Sequence, residues 1–283
     1  MSAQTWFITG TSRGFGHALA VAALEAGDQV VATARRPEQL ADLVSRYGDQ
    51  VLTVALDVTD EAAAVAAVRA AVDRFGRIDV VVNNAGYANI GPIETTDDFR
   101  TQFETNFWGV YNVTRAALPV LKAQKSGTIV QFSSIGGRVG GSPGLGAYQS
   151  AKFAIDGFTR VLAVEVAPLG IRTLVVEPGG FATDWAGPSM KILDIPAEYD
   201  ETVGARARGM DNPELSAGDP ARAGEILVRV VKRPRLPSHL LLGAGAVRRA
   251  LDYSQTQLAE ATAWEPVSRS ADFAEAYPVD LPE

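Results

Sequence analysis

The sequence predicts a doubly wound α/β fold: a parallel seven-stranded sheet with helices on both faces, built as a single domain. Three observations carry that expectation. Short β-branched runs alternate along the chain with longer, Ala-rich helical stretches, the order that parallel strands joined by helical crossovers produce. Several of the runs are apolar on both faces, Val80-Val81-Val82 and Leu174-Val175-Val176 among them, as expected of strands covered by helices on either side. With 283 residues and 47% hydrophobic content, the chain can bury a large core without disulfide staples.

In order, the strands are expected at Thr5–Thr9, Gln29–Thr33, Val51–Leu56, Asp79–Val82, Thr128–Phe132, Thr173–Val176 and His239–Leu242. Helices fill the gaps. Asp60–Phe75 is a clear case, with Thr59 or Asp60 capping its start and Gly76 ending it. Two regions break the rhythm. From Trp185 to about Pro220 the chain holds scattered Gly, Pro, Met and charged residues, with a weak helical pattern near Ala197–Ala207; an insertion of that length in a compact domain is usually functional or mobile. After Gly243 a helical stretch, Ala246–Ala263, precedes Trp264, Phe273 and Tyr277, and a tail this aromatic is expected to dock at least in part. The layout is therefore a unit of residues 1–243, including a loop at about 185–220, and an extension of residues 244–283 packed on that unit or at an interface.

Composition excludes several chemistries. There is no cysteine, hence no disulfide, thiolate nucleophile, iron–sulfur cluster or thiolate zinc site. His17 and His239 are the only histidines and lie far apart, so no catalytic metal is expected. The net charge of −7 does not attract a polyanion, and nucleic acid is not an expected partner. No apolar run is long enough to span a bilayer, so no membrane partner is expected either. The first residues lack the basic stretch and cleavage pattern of a signal peptide, which makes a cytoplasmic location the expectation.

The first strand runs directly into Thr9-Gly10-Thr11-Ser12-Arg13-Gly14-Phe15-Gly16, followed by an Ala-rich helix. Glycines there let the backbone turn sharply and approach a pyrophosphate, whose charge the helix N-terminus stabilises. In this strand–loop–helix setting the motif reads as a Rossmann dinucleotide site, with Gly10, Ser12, Arg13, Gly14, Phe15 and Gly16 as cofactor contacts. A fold of this kind that takes NAD places an acid about 20 residues beyond the glycines, on the ribose hydroxyls. Here the second strand ends Ala32-Thr33-Ala34-Arg35-Arg36, without an acid and with two arginines, and Arg13 adds a third cation. A guanidinium holds a 2′-phosphate bidentately, and a charge-assisted bond of about 1.5–3 kcal/mol corresponds to roughly ten- to a hundredfold in affinity. The expectation is NADP(H) rather than NAD(H). His17, at the helix start, reads as a solvated surface residue.

Tyr148-Gln149-Ser150-Ala151-Lys152 opens an amphipathic helix, and its i, i+4 spacing sets Tyr148 and Lys152 one turn apart on one face. A phenol with a pKa of about 10 transfers protons poorly at neutral pH. A neighbouring ammonium, helped by a positive nicotinamide, is expected to stabilise the phenolate and lower that value.

With these two motifs the chain resembles the short-chain dehydrogenase/reductase family, in the branch with a Thr-Gly-x-x-x-Gly-x-Gly loop and a Tyr-x-x-x-Lys pair. The resemblance covers about residues 5 to 243 in an ordered set of motifs. Asp57-Val58 stands at the position that contacts adenine, and Asn83-Asn84-Ala85-Gly86 follows the fourth strand. Asn106 lies in Glu104-Thr105-Asn106-Phe107, Ser133-Ser134 follows the fifth strand, and Pro178-Gly179-Gly180-Phe181-Ala182-Thr183 follows the sixth.

Carried onto these positions, the resemblance implies that Tyr148 is the general acid in reduction and the base in oxidation, and that Ser134 hydrogen-bonds the substrate oxygen. Lys152 would bind the nicotinamide ribose, and Asn106 would hold a water linking Lys152 to solvent. Asn84, Ala85 and Gly86 would pack by the cofactor, while Pro178, Gly179, Phe181 and Thr183 would border the nicotinamide. Read without the resemblance, Asp57 also suits capping of the turn after it, and Asn106 suits a bent helix. Ser134 stands one residue farther from Tyr148 than is usual in the family, an excess that the glycine-rich stretch Gly136–Gly146 can absorb. Ser133, one residue earlier on a strand, points to the opposite face.

The implied reaction is hydride transfer between NADP(H) and a small-molecule ketone or aldehyde, or the corresponding alcohol, with reduction favoured. Tyr87–Pro92, Gly137–Leu145 and Trp185–Tyr199 would border the substrate. Trp185, Met190, Ile192, Leu193 and Ile195 would form an apolar, adaptable wall suited to a hydrophobic compound. Phe153–Phe158 and Leu162–Val166 read as core or subunit interface, and members of the family commonly form homodimers or homotetramers through the helices near Asn106 and Tyr148. Two rival readings are a redox sensor that binds NADP without turnover and an extended-branch epimerase or dehydratase. A sensor typically loses the tyrosine or lysine kept here; the extended branch spaces its glycines differently.

Overall fold

The computed structural model describes residues 3–183, 190–212 and 216–282. Its strands are β1 (Thr5–Thr9), β2 (Gln29–Ala34), β3 (Val51–Ala55), β4 (Val80–Asn83), β5 (Gly127–Phe132), β6 (Ile171–Pro178) and β7 (His239–Leu242). They form one seven-stranded sheet in the order β3-β2-β1-β4-β5-β6-β7, with every pair parallel. The chain winds outward from β1 to β3 and then returns to place β4 against the other side of β1. That reversal opens a crevice beyond the C-terminal ends of β1 and β4, where open α/β sheets bind ligands.

The helices are α1 (Gly14–Glu25), α2 (Ala41–Tyr47), α3 (Glu61–Phe75), α4 (Phe99–Phe103), α5 (Gly109–Gln124), α6 (Gly136–Val139), α7 (Gly146–Val166), α8 (Ala205–Arg208), α9 (Pro220–Val231), α10 (Ala244–Ala263) and α11 (Glu265–Arg269). Side chains alternate across each strand, so the sheet carries two cores. Trp6 and Ile8 of β1 meet Leu19 and Leu24 of α1 and Leu227 and Val228 of α9 on one face. Phe7 meets Ala67 and Val68 of α3, Val113 and Leu121 of α5, and Leu162 and Val166 of α7 on the other. Asp60 is the residue that caps α3, accepting from the Ala63 N–H at 3.0 Å, and Gly76 ends that helix at a φ of +77°.

Strand ends differ from the sequence expectation by a residue or two, most at β6, which runs from Ile171 rather than Thr173 and to Pro178 rather than Val176. Pairing sets those limits: Ile171–Val176 lies along β5, and Val175–Pro178 lies along β7. The segment expected to be weakly helical near Ala197–Ala207 is a 3-10 turn, a π turn at Asp200–Gly204 and the single turn α8. Trp185 lies outside the described residues.

The C-terminal extension packs on this chain in part. Helix α10 is held through Ala246 and Ala250, which pack on Ile135, and none of its residues beyond Ala250 is buried. Trp264, Phe273 and Tyr277 are exposed. Among the described residues, no helix is long and apolar enough to cross a membrane.

Candidate active site

The loop between β1 and α1 is shaped by three glycines. Gly10 (φ +71°) and Gly14 (φ +58°) hold left-handed conformations that cost a residue with a Cβ dearly. Gly16 is needed for space, since a Cβ there would overlap the Gly10 carbonyl oxygen. The Asn84 side chain donates to the carbonyls of Thr9 (2.9 Å) and Gly10 (3.1 Å). The Thr9 hydroxyl accepts from the N–H groups of Asn84 (2.9 Å) and Ala85 (3.0 Å). The turn after β4 is thereby tied to the glycine loop. No side chain caps α1, and Arg13 at its N-cap is extended and exposed. First-turn N–H groups, with Ser12 half-buried beside them, therefore remain as donors for a phosphate. This cradle fits a dinucleotide pyrophosphate.

Phe15 and Phe181 are apolar supports of that loop. Their rings lie 4.7 Å apart, and Phe15 also packs on Phe132 at 5.6 Å. Thr183 stands against Gly14. Pro178 and Gly179 act through their backbones: the Pro178 carbonyl accepts from Ile135 N–H at 3.0 Å, and the Gly179 N–H donates to Leu242 at 2.9 Å.

At the end of β2, Arg35 and Arg36 are exposed. Asp57 accepts from the backbone (3.0 Å) and hydroxyl (2.8 Å) of Thr59, capping its turn. The Thr59 N–H holds the Asp57 carboxyl below its usual range despite partial burial, and the nearby Arg35 charge adds to the effect. The capping reading of Asp57 is therefore seen directly. The Val58 side chain is buried in the α3–α5 core against Gly109, which leaves its backbone to face the crevice side of the turn.

Ser134, Tyr148 and Lys152 come together at the end of β5. The Ser134 side chain stands close enough to the Tyr148 hydroxyl to favour its phenolate, and Ser134 Oγ accepts from Gly136 N–H at 3.0 Å. Ser133 faces away, as expected, and donates to the Lys152 carbonyl at 3.0 Å. The extra residue before Tyr148 is taken up by α6 and by Gly140, Gly141 and Gly144, all at positive φ. Lys152 Nζ lies 5.6 Å from the Tyr148 ring centre and donates to the Phe132 carbonyl at 2.6 Å.

Burial pushes the Tyr148 phenol up to about 12, with the Ser134 side chain offsetting part of the rise. Burial pushes the Lys152 ammonium down to about 8. Both groups are buried, and desolvation sets the direction of each shift.

Asn106 sits in a π turn, Glu104–Trp108, between α4 and α5, the kind of distortion frequent at functional sites. Its Oδ1 accepts from Tyr87 N–H at 2.9 Å, and its Nδ2 donates to the Tyr87 carbonyl at 2.8 Å. Each end of the amide is thereby tied to the Tyr87 backbone. Gly86 keeps the space clear, because a Cβ there would stand 2.7 Å from Asn106 Oδ1 and 3.6 Å from Lys152 Nζ.

An apolar cluster of Ala88, Ile90, Leu145 and Val203 surrounds Tyr148, with Met190 and Ile195 packed against it. Leu193 lies on Gly91, whereas Ile192 is mostly exposed and does not join this wall. His17 is half-buried rather than solvated, facing the Thr11 carbonyl at 3.3 Å and Asp42 at 3.6 Å. Sequence reasoning missed Thr9, the Phe132 carbonyl and the Tyr87 backbone. Only Thr9 left a signal, as the polar residue where an apolar strand enters the glycine loop.

A doubly wound sheet with a glycine cradle at its crevice and a serine–tyrosine–lysine centre beside it defines a nicotinamide-dependent oxidoreductase. The chain belongs to the short-chain dehydrogenase family, whose model matches residues 4–191. It is 49% identical over 269 residues to the oxidoreductase BOA17 of Botryotinia fuckeliana, covering 94% of this chain and 98% of that protein. Among solved structures it resembles a short-chain dehydrogenase from Streptomyces avermitilis, with a TM-score of 0.88 and 40% identity over 96% of this chain and 100% of the other. An alcohol dehydrogenase from the archaeon Thermococcus sibiricus, solved with 5-hydroxy-NADP, has a TM-score of 0.70 and 26% identity over 85% of this chain and 96% of its own.

Proposed function

We propose that this protein is an NADP(H)-dependent carbonyl reductase acting on hydrophobic ketones or aldehydes and, in reverse, on the corresponding alcohols. The observation that carries the reading is the Ser134 side chain beside the Tyr148 hydroxyl, with Lys152 on the same helix face. The cofactor supplies the hydride. Tyr148, kept protonated by burial, donates its proton to the carbonyl oxygen, and Ser134 holds that oxygen by a hydrogen bond. Lys152 binds the nicotinamide ribose. Gly86 and Asn106 keep the space beside Lys152 open for the water that resupplies the proton.

Arg13, Arg35 and Arg36, with no acid at the end of β2, support NADP(H) over NAD(H), as does the NADP derivative held by the archaeal relative. The apolar cluster around Tyr148 supports a hydrophobic substrate. Exposed Trp108 at the start of α5, and Phe153, Val161 and Val164 on α7, support assembly into a homodimer or homotetramer through those helices.

The test is oxidation of NADPH with a panel of apolar and polar carbonyls, wild type beside Tyr148→Phe, with NADH in parallel. Turnover of an apolar class with NADPH, lost in the variant, is the expected result. Equal use of NADH overturns the cofactor assignment, and turnover that survives Tyr148→Phe overturns the mechanism.

A further inference from the structure

Arg206, on α8, is half-buried, and its Nε is shut off from solvent with no hydrogen-bond partner. Its neighbour Arg208 is satisfied, paired with Asp200 at 2.6 Å. The charge that bears on Arg206 is another cation, Arg249 of α10. Burial first, and that repulsion second, lower the Arg206 pKa from its ordinary value. Among the described residues, no carboxylate forms an ion pair with either arginine, whereas Arg138, Arg160 and Arg222 all have one. Two guanidiniums brought together without an anion, one with a donor closed off from water, form a costly arrangement that a bound anion relieves.

The position of the pair gives the anion a purpose. Val203 and Ala207, on either side of Arg206 in the chain, pack in the apolar cluster around Tyr148. Ala246 and Ala250, on either side of Arg249, pack on Ile135 and Val139, which follow Ser134. The two arginines therefore sit on segments anchored beside the two members of the reacting pair.

We propose that Arg206, assisted by Arg249, is an anion subsite of the substrate pocket. It would take the carboxylate or phosphate of an amphiphilic substrate whose apolar body lies along Ile90, Leu145 and Val203 and whose carbonyl reaches Tyr148. The inference rests on the reading of Ser134 and Tyr148 as the reacting centre. It deepens that reading by naming the substrate class as an apolar oxo-compound with one anionic end.

The test is calorimetric titration of the full chain with octanoate, octyl phosphate and the neutral octanamide. The proteins compared are wild type, Arg206→Gln, Arg206→Lys and Arg249→Gln. Wild type is expected to bind one of the anions at least about tenfold more tightly than the amide, the worth of one charge-assisted contact; the tighter anion identifies the group recognised. Arg206→Gln erases that ratio, Arg206→Lys keeps part of it, and Arg249→Gln reduces it about threefold or more. Equal binding of anion and amide by wild type, no binding of either anion, or an anion preference unchanged in Arg206→Gln overturns the subsite. Should Arg206→Gln not fold, Arg249→Gln decides, because its side chain is exposed; an unchanged ratio there overturns the pairing. Binding needs no turnover, so a chain that selects octanoate through Arg206 yet reduces no carbonyl would overturn the reductase reading and leave the subsite standing.

Discussion

Ser134 stands beside the Tyr148 hydroxyl and favours its phenolate across a connection one residue longer than the family's usual spacing, while Ser133 turns away to the Lys152 carbonyl at 3.0 Å. Two adjacent serines thus hold separable jobs. Tyr148→Phe removes the proton donor and is expected to lower kcat by about 10²–10⁴-fold. Ser134→Ala removes both a donor to the substrate oxygen and a neighbour that restrains the phenol's pKa, at a cost in kcat of about 10²-fold. Ser133→Ala loses a buried structural bond, about 1 kcal/mol of stability, with kcat nearly intact. Steady-state kinetics beside urea unfolding of the three variants checks the division, and a large kcat loss in Ser133→Ala would reverse it.

Lys152 makes stability depend on pH in a definite direction. Its pKa falls from 10.5 to about 8 on folding, so above pH 8 the unfolded chain holds the proton that the folded chain has released. Stability contributed by this group therefore rises between about pH 8 and 10.5, by about 2–3 kcal/mol from pH 7 to pH 10. Tyr148, raised to about 12, acts oppositely, but its stabilisation is lost only above pH 10. Urea unfolding of wild type and Lys152→Met at pH 7 and pH 10 isolates the lysine: wild type gains on the variant by that amount as pH rises. A constant difference between the two proteins would mean that Lys152 keeps its proton throughout.

The sheet was legible because strands buried on both faces leave unbroken apolar runs, and β1 and β7 were placed to the residue. The ends of β6 were not, because Arg172 and Glu177 interrupt the apolar pattern. Each has a partner that only the fold supplies: Arg172 donates to the carbonyls of Val231 (3.1 Å) and Arg233 (2.6 Å), and buried Glu177 pairs with Arg138 at 2.9 Å. At the site, helical spacing reveals Tyr148 with Lys152, and motif position reveals Ser134. The Phe132 carbonyl that receives Lys152 and the Tyr87 backbone that receives Asn106 are main-chain groups without a residue signature. Arg206 and Arg249 are brought together by packing alone.

Gly16 tests whether the cradle is built for close backbone approach. A Cβ there meets the Gly10 carbonyl, which is main chain and cannot swing aside, so Gly16→Ala must shift the loop. Overpacking of this kind costs about 1–3 kcal/mol, and the displaced N–H groups should weaken NADPH by at least about tenfold. Gly27→Ala is the control, with a positive φ of 80° but open space around it, and should lose stability without losing cofactor. Fluorescence titration of NADPH into both variants separates a built cradle from a generic turn. Equal affinities would make Gly16 structural only.

Arg35 carries the cofactor choice. Its charge reaches Asp57, yet the guanidinium is exposed and has no ion pair among the described residues. Arg35→Ala is expected to raise the Kd for NADPH by about ten- to a hundredfold and to leave NADH within about twofold. The wild-type preference should also shrink with added salt, since an exposed guanidinium–phosphate contact is screened. Matched losses for both cofactors would move the 2′-phosphate away from Arg35, with Arg13 the next candidate.

The C-terminal extension is the part of the chain with least to hold it. Ala246 and Ala250 anchor α10, but Leu251 is 57% exposed, Leu258 69% and Tyr277 82%. Burial stabilises by about 25 cal/mol per Å² of apolar surface, so residues that bury almost none add almost nothing within one chain. A chain ending at Tyr253 keeps both anchors and Arg249 and should unfold in urea within about 0.5 kcal/mol of the full chain. A drop of several kcal/mol, accompanied by a smaller assembly in sedimentation, would instead place Leu258, Trp264 and Phe273 against a second copy. The stability measurement and the assembly measurement must move together for that outcome, because a contact within one chain would change the first without the second.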